Sequence, residues 1–127
     1  MTKKIIETTK APQAIGTYSQ AVHAGNLIFS SGQIALDPSS GEMVADSFSA
    51  EAKQVFENLK GIAEAAELSL DSAVKLTVYL TDLNDFAELN EIMSTYFSEP
   101  FPARAAIQVS ALPKGATIEV DAIFSKD

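Results

Sequence analysis

The sequence predicts a two-layer α/β sandwich, of the α+β kind, with a mixed sheet of about six strands and two helices on one of its faces. Three observations carry that reading. Helical periodicity of apolar residues occurs twice, after Ser49 and after Asn84, and each time a β-like run follows. Between the two, "AVKLTVYLT" alternates strictly between apolar and polar residues. Further β-like runs stand before the first helix and after the second, so the order is β-hairpin, α, β, α, β, β. Strand–helix–strand units cross over right-handedly, which lays both helices on one sheet face and leaves the other bare.

Taken in order, "IIET" near the start reads as a short edge strand. "YSQAVHAGNLIFSSGQIAL" holds two β-like runs around Gly25-Asn26, a dipeptide suited to the positive φ angles of a tight hairpin turn. "DPSSGEMVA" is a loop. Ser49 is placed to N-cap the next segment, where Val55, Phe56, Leu59, Ile62, Ala63 and Ala66 recur at spacings of three and four. In "AVKLTVYLT", Val74, Leu76, Val78 and Leu80 fall on one face and Lys75, Thr77, Tyr79 and Thr81 on the other. Asn84 then caps a second helix, with a stripe of Phe86, Leu89, Met93, Tyr96 and Phe97, that ends before Pro100. Two strands close the chain, Arg104 to Val109 and Thr117 to Phe124, joined by an "LPKGA" turn.

Length and composition limit the function. A chain of 127 residues reads as a single domain spanning 1–127 with a real core. Apolar runs are short, and Met-Thr-Lys-Lys leads into a β-like segment rather than an apolar signal region, so the expectation is a cytoplasmic protein without membrane contact. Cysteine is absent, which excludes disulfides, thiolate catalysis and cysteine-based zinc sites. A net charge of −8 opposes binding to phosphate backbones, so nucleic acid is not an expected partner and a small molecule or a protein is.

Most polar clusters have a plain structural reading. The lone His23 lies beside the hairpin turn, with no second histidine to share a metal. Asp82, Asp85 and Glu88 suit a helix N-terminus better than a calcium loop, because the loop glycine and spacing are missing. "SSGQ" at 30–33 has no histidine to activate a serine, and reads better as a strand end whose glycine exposes backbone N–H groups. Asn90 falls in the apolar stripe of its helix, where a buried carboxamide serves either a structural network or a ligand.

Arg104 is the one arginine among nine basic residues. On the alternation of the last two strands, Arg104, Ala106 and Gln108 share the bare face with Thr117, Glu119 and Asp121, a mix that suits contact with another subunit. An arginine and a glutamate so placed read either as a cross-strand salt bridge at a subunit interface or as a pair with a task. Arginine's rigid fork grips a carboxylate through two parallel hydrogen bonds, which lysine does poorly.

The segments "IGTYSQAV", "IFSSGQIALDPSSGE", "NLKGIAEAA", "KLTVYLTDLNDFAELNEIMSTYF" and "FPARAAIQVSALPKGATIEVDAIF" closely resemble the reactive imine deaminase (RidA) family of the YjgF-type group. The resemblance runs along nearly the whole chain, and "FPAR" followed by "LPKGA" and "IEVDAI" is its most specific part. It implies a chorismate-mutase-like fold and a homotrimer with active sites between subunits. The implied reaction is the cofactor-free hydrolysis of 2-imino acids and enamines, such as 2-aminoacrylate, to 2-keto acids and ammonia. It assigns carboxylate binding to Arg104, proton transfer to Glu119, and the cleft tyrosine to Tyr18. Ser31, Gly32, Asn90 and the backbone at Ala106 would position the substrate. Two positions depart from the family pattern: Thr17 stands for a proline and Ala106 for a common cysteine. Two further readings stay open, a keto-acid-binding regulatory or interaction protein and an endoribonuclease or translation inhibitor; the acidic charge weighs against the latter.

Overall fold

The computed structural model describes residues 2–127. Its strands are β1 (Lys4–Ile6), β2 (Ala21–Ala24), β3 (Leu27–Ser30), β4 (Ala73–Leu80), β5 (Ala103–Gln108) and β6 (Ile118–Ser125), and its helices are α1 (Phe48–Ala65) and α2 (Phe86–Tyr96). They form one six-stranded sheet in the order β1-β2-β3-β6-β4-β5. Only β4 and β5 pair in parallel, so the sheet is mixed, as the alternation of elements predicts. The last strand, β6, is inserted between β3 and β4, and the α1 crossover passes over it. No helix among the described residues is long and apolar enough to cross a membrane.

The β2–β3 turn pairs Ala24 with Leu27, and only Gly25 of its two central residues takes a positive φ, of 62°. Helix α1 starts earlier than the sequence suggests. Its cap is Ser47, not Ser49: the Ser47 hydroxyl accepts the Ala50 N–H at 3.0 Å. The expected stripe is buried from Val55 to Ala66. Two buried polar residues of α1 lie outside that stripe and fasten other segments to the helix. The Glu51 carboxylate accepts from Thr117 N at 2.6 Å and Thr117 Oγ1 at 2.8 Å, and Asn58 Nδ2 donates to the carbonyls of Ile34 and Leu36. Mid-helix Gly61 has its own cause: a Cβ there would meet the Lys10 carbonyl oxygen at 2.5 Å, so the 8–12 segment crosses the helix at backbone contact.

Strand β4 buries Leu76, Val78 and Leu80 under the helices, but Val74 is 45% exposed. A register shift between Ala73 and Lys75 turns Val74 out of the alternation. Before α2 the cap is again displaced. Asp82, not Asn84, accepts a backbone N–H, that of Asn84 at 2.9 Å, and opens a 3-10 turn (Leu83–Asp85) that leads into the helix. Helix α2 buries Leu89 and Ile92, and the Phe56 ring stacks against Tyr96 and Phe97 at centroid distances of 5.4 and 5.8 Å, joining the two helices.

The parallel register of β4 and β5 overturns one expectation that bears on function. Leu76 pairs with Arg104, Val78 with Ala106 and Leu80 with Gln108, so these β5 residues share the helix-covered face. Glu119 pairs with Tyr79, and Asp121 with Thr77, on the bare face. Arg104 and Glu119 therefore lie on opposite faces of the sheet with β4 between their strands, and a salt bridge between them within one chain is excluded. The bare face of β5 carries Ala103, Ala105 and Ile107 instead, and from the end of β6 outward the same face shows Ile123, Phe29, Val22 and Ile5.

Candidate functional site

Glu119 lies where β6 passes the end of β3. The chain leaves β3 at Ser30, and Gln33 then bridges to Val120, so Ser31 and Gly32 arch over β6. Gly32 leaves room for the Glu119 side chain: a Cβ on residue 32 would lie 2.9 Å from Glu119 Cδ and closer still to its carboxylate oxygen. Ser31 is committed to the fold, its N–H donating to the Gln20 carbonyl at 2.9 Å and its hydroxyl to the Ser19 carbonyl at 2.5 Å. The Gly32 N–H has no hydrogen-bond partner among the described residues, so at this arch it is the donor left for a ligand.

These groups border a cavity of about 450 Å³ whose walls are mostly apolar, with Pro12, Ile15, Ile34 and Leu36 around Tyr18, Lys114 and Glu119. The buried Gln20 braces one wall from behind, through Pro12. Its side-chain nitrogen lies within bonding distance of the carbonyls of Thr8, Ala11 and Pro12, and its oxygen accepts the Thr8 N–H at 2.7 Å. Tyr18 stands 51% exposed on the adjoining loop, where its hydroxyl accepts the Ile15 N–H in a long contact of 3.5 Å. Pro113 and Lys114 come from the turn before β6, which Lys114 and Gly115 make tight with φ of 57° and 71°.

Burial raises the Glu119 pKa above the ordinary carboxylate range, and the nearby Asp121 charge adds to the shift. Asp121 is raised too, chiefly by burial, against the lowering effects of the Tyr79 hydroxyl and Lys75. A carboxyl raised in this way takes up a proton more readily than a free one, which suits it to proton exchange.

Arg104 stands in a second cavity, of about 400 Å³, with Asn90, Met93, Ser94, Phe97, Phe101 and Pro102. One guanidinium nitrogen, Nη1, donates to Asn90 Oδ1 at 2.6 Å and touches Met93 Sδ at 3.5 Å, while the guanidinium carbon sits 4.9 Å from the centroid of the Phe86 ring. Asn90 and the aromatic ring hold one side of the group, and no carboxylate pairs with it among the described residues. Asn90 itself is exposed, which corrects the expectation of a buried carboxamide; α2 turns that side chain outward beside Arg104. Ala106 is half-buried on β5, two residues on, and packs on the core.

The predicted residues thus fall into two groups. Tyr18, Ser31, Gly32 and Glu119 surround one cavity, and Arg104 and Asn90 the other, with Ala106 beside the second. Sequence reasoning did not single out Pro113 and Lys114, nor the Gln20 and Asn58 side chains that hold the first cavity's walls. The "LPKGA" turn was the available signal for the first pair. The second pair had none, because a carboxamide that binds backbone carbonyls obeys no periodicity.

The model of the endoribonuclease L-PSP family matches residues 8–125. A RutC family protein of Pyrococcus abyssi is 53% identical over 127 residues, covering 100% of both chains. The Mus musculus protein named 2-iminobutanoate/2-iminopropanoate deaminase is 53% identical over 121 residues, 95% of this chain and 90% of its own. The crystal structure of RidA from an Antarctic Psychrobacter superposes with a TM-score of 0.93 at 54% identity, covering 96% of this chain and 98% of that one. Matched in sequence and in fold along nearly its whole length, the chain belongs to the endoribonuclease L-PSP family, in its RidA-type group.

Proposed function

We propose that this protein hydrolyses small reactive 2-imino acids and their enamine tautomers to 2-keto acids and ammonia, in a cleft completed by a neighbouring subunit. 2-Iminopropanoate and 2-iminobutanoate are the compounds in the name of the mouse relative, 2-aminoacrylate is the enamine tautomer of the first, and all three are small enough for the cavity. One observation carries the reading: a half-buried carboxylate beside an unpaired backbone N–H, and a guanidinium without an ion-pair partner, stand in separate cavities that a single chain cannot join. A second copy that sets its Arg104 opposite the Glu119 cavity unites an anion anchor with a proton carrier. A closed homotrimer gives three such clefts and covers the bare sheet face.

In that cleft Arg104 and the Gly32 N–H hold the substrate carboxylate, with Asn90 fixing the guanidinium and the Ala106 backbone beside it. Tyr18 closes over the substrate. The imine nitrogen takes a proton from solvent, Glu119 takes one from water as the oxygen bonds to the C=N carbon, and a carbinolamine forms. Glu119 then returns its proton to nitrogen, the C–N bond breaks as the hydroxyl C–O becomes C=O and its proton goes back to solvent, and ammonia leaves with the keto acid behind. Water supplies the oxygen, no electrons change hands, and the chemistry calls for neither metal nor organic cofactor. Since such imines also hydrolyse unaided, orientation and one proton carrier are enough. The acidic charge fits a small-molecule substrate in the cytoplasm rather than nucleic acid or a membrane.

A coupled assay tests the proposal. A dehydratase generates 2-aminoacrylate or 2-iminobutanoate in the presence of an imine scavenger, and keto acid is followed with time. Faster keto-acid formation on adding the protein is expected; an unchanged rate at equimolar protein refutes it.

A further inference from the structure

Next to Glu119 on the bare sheet face stands a group that the proposed reaction does not use. Asp121 follows Glu119 at the strand's two-residue repeat, so the two side chains rise from one face with their Cα atoms about 7 Å apart. Tyr79 of β4 stands directly across from Glu119, yet its hydroxyl reaches diagonally and donates to Asp121 Oδ2 at 3.3 Å. Both carboxylates are half-buried.

We propose that Asp121, held by the Tyr79 hydroxyl, is a positioning residue whose charge acts on Glu119 and sets the pH range over which Glu119 exchanges a proton. This rests on the reading of Glu119 as proton carrier.

Within the single chain, the surroundings of Glu119 leave few other charges to do this; in the proposed cleft the Arg104 guanidinium of a second copy adds an opposing one. The arch after β3 presents Ser31 and Gly32, which carry none. From β4 come Tyr79, and Lys75 further along, which acts on Asp121. The 12–18 loop contributes Tyr18 and the turn before β6 contributes Lys114, whose ammonium forms no ion pair with Glu119 among the described residues. Asp121 is thus the one anion beside Glu119 on its face. A like charge at that distance, half shielded from water, disfavours the ionised form of its neighbour. Burial alone would also raise Glu119, but it is fixed, whereas the Asp121 charge can be removed by substitution without altering shape.

The test reads Glu119 directly. Carboxyl 13C NMR titrations of the whole protein, with Glu119 assigned by its loss in Glu119→Gln, are compared for wild type, Asp121→Asn and Asp121→Glu. The Glu119 midpoint is expected to fall by about 0.5–1 pH unit in Asp121→Asn and to return in Asp121→Glu, which restores the charge. An unchanged midpoint in Asp121→Asn overturns the proposal. Should that variant fail to fold, Asp121→Thr, which suits a strand, replaces it with the same expectation. The acid limb of kcat/KM for imine hydrolysis is measured alongside. A limb that moves with the midpoint supports the proposal. A limb that stays while the midpoint moves overturns Glu119 as the proton carrier and leaves the electrostatic effect of Asp121 standing, so the two failures are distinct.

Discussion

Gly32 and Glu119 approach so closely that neither tolerates much change in the other. Gly32→Ala puts a methyl group against the Glu119 carboxylate, and because that carboxylate is the end of a flexible chain, it swings aside. Turnover should collapse while stability stays within about 1 kcal/mol of wild type, as paired activity and urea-melt measurements would show. Glu119→Gln keeps the shape and should lower turnover by about 10²- to 10⁴-fold while keto acid still binds. The same substitution has a stability signature. The folded-state pKa of Glu119 is raised, so the fold favours its protonated form; that contribution is full below the ordinary carboxylate pKa and is lost as pH rises through the raised value. Glu119→Gln should therefore raise Tm relative to wild type more at pH 7 than at pH 4, and calorimetry showing equal shifts at both would contradict it. Arg104→Ala should lose keto-acid binding and turnover together, and Arg104→Lys should recover little, because a point charge lacks the fork. If both Arg104 and Glu119 variants instead lose assembly to the same degree, with binding and rate falling in parallel, the pair serves an interface between subunits and not catalysis.

At the scale of elements, the sequence located every helix and strand but slipped at helix starts. Ser47 and Ser49 both fit a cap, and periodicity cannot choose between residues two apart within the first turn; the backbone does, because Ser47 is extended and Ser49 already helical. Ser47→Ala should cost about 1 kcal/mol in urea denaturation and Ser49→Ala close to nothing. Asp82 took the capping position from Asn84 for a related reason, since a 3-10 turn precedes α2 and moves the first free N–H groups upstream. In β4 the alternation held from Lys75 onward and failed at Val74, where the bulge breaks it.

The bare sheet face poses the question at the scale of the whole molecule. Ile5, Phe29 and Ile107 are 60%, 40% and 46% exposed there, flanking the Glu119–Asp121–Tyr79 cluster, and an apolar face of that character marks an interaction surface, which the proposed trimer would cover. Light scattering should give a trimer, and a mass near one 13.5 kDa subunit would contradict it. Phe29→Glu should break the assembly and abolish turnover together while far-UV circular dichroism stays that of the wild type, because the proposed cleft draws on two copies and the single-chain core does not involve this face.

The sequence by itself determined the element order, the core stripes of α1 and β4 and the mixed two-layer architecture, because burial of one face writes a period of 3.6 or 2 into the residues. It also pointed to the residues around both cavities, through the family resemblance. It did not determine on which face Arg104 lies. Strand β5 is an edge strand with the pattern "ARAAIQ", in which neither set of alternate residues is plainly apolar, so alternation had no contrast from which to take its phase. The phase was decided by parallel pairing with β4, which sets Arg104 beside Leu76 and under α2. Nor could the sequence show that β6 is inserted between β3 and β4, a long-range choice that brings Glu119 beside Gly32 and opposite Tyr79. Pairing between distant strands leaves no local trace, and it is that pairing which separates Arg104 from Glu119 in the single chain.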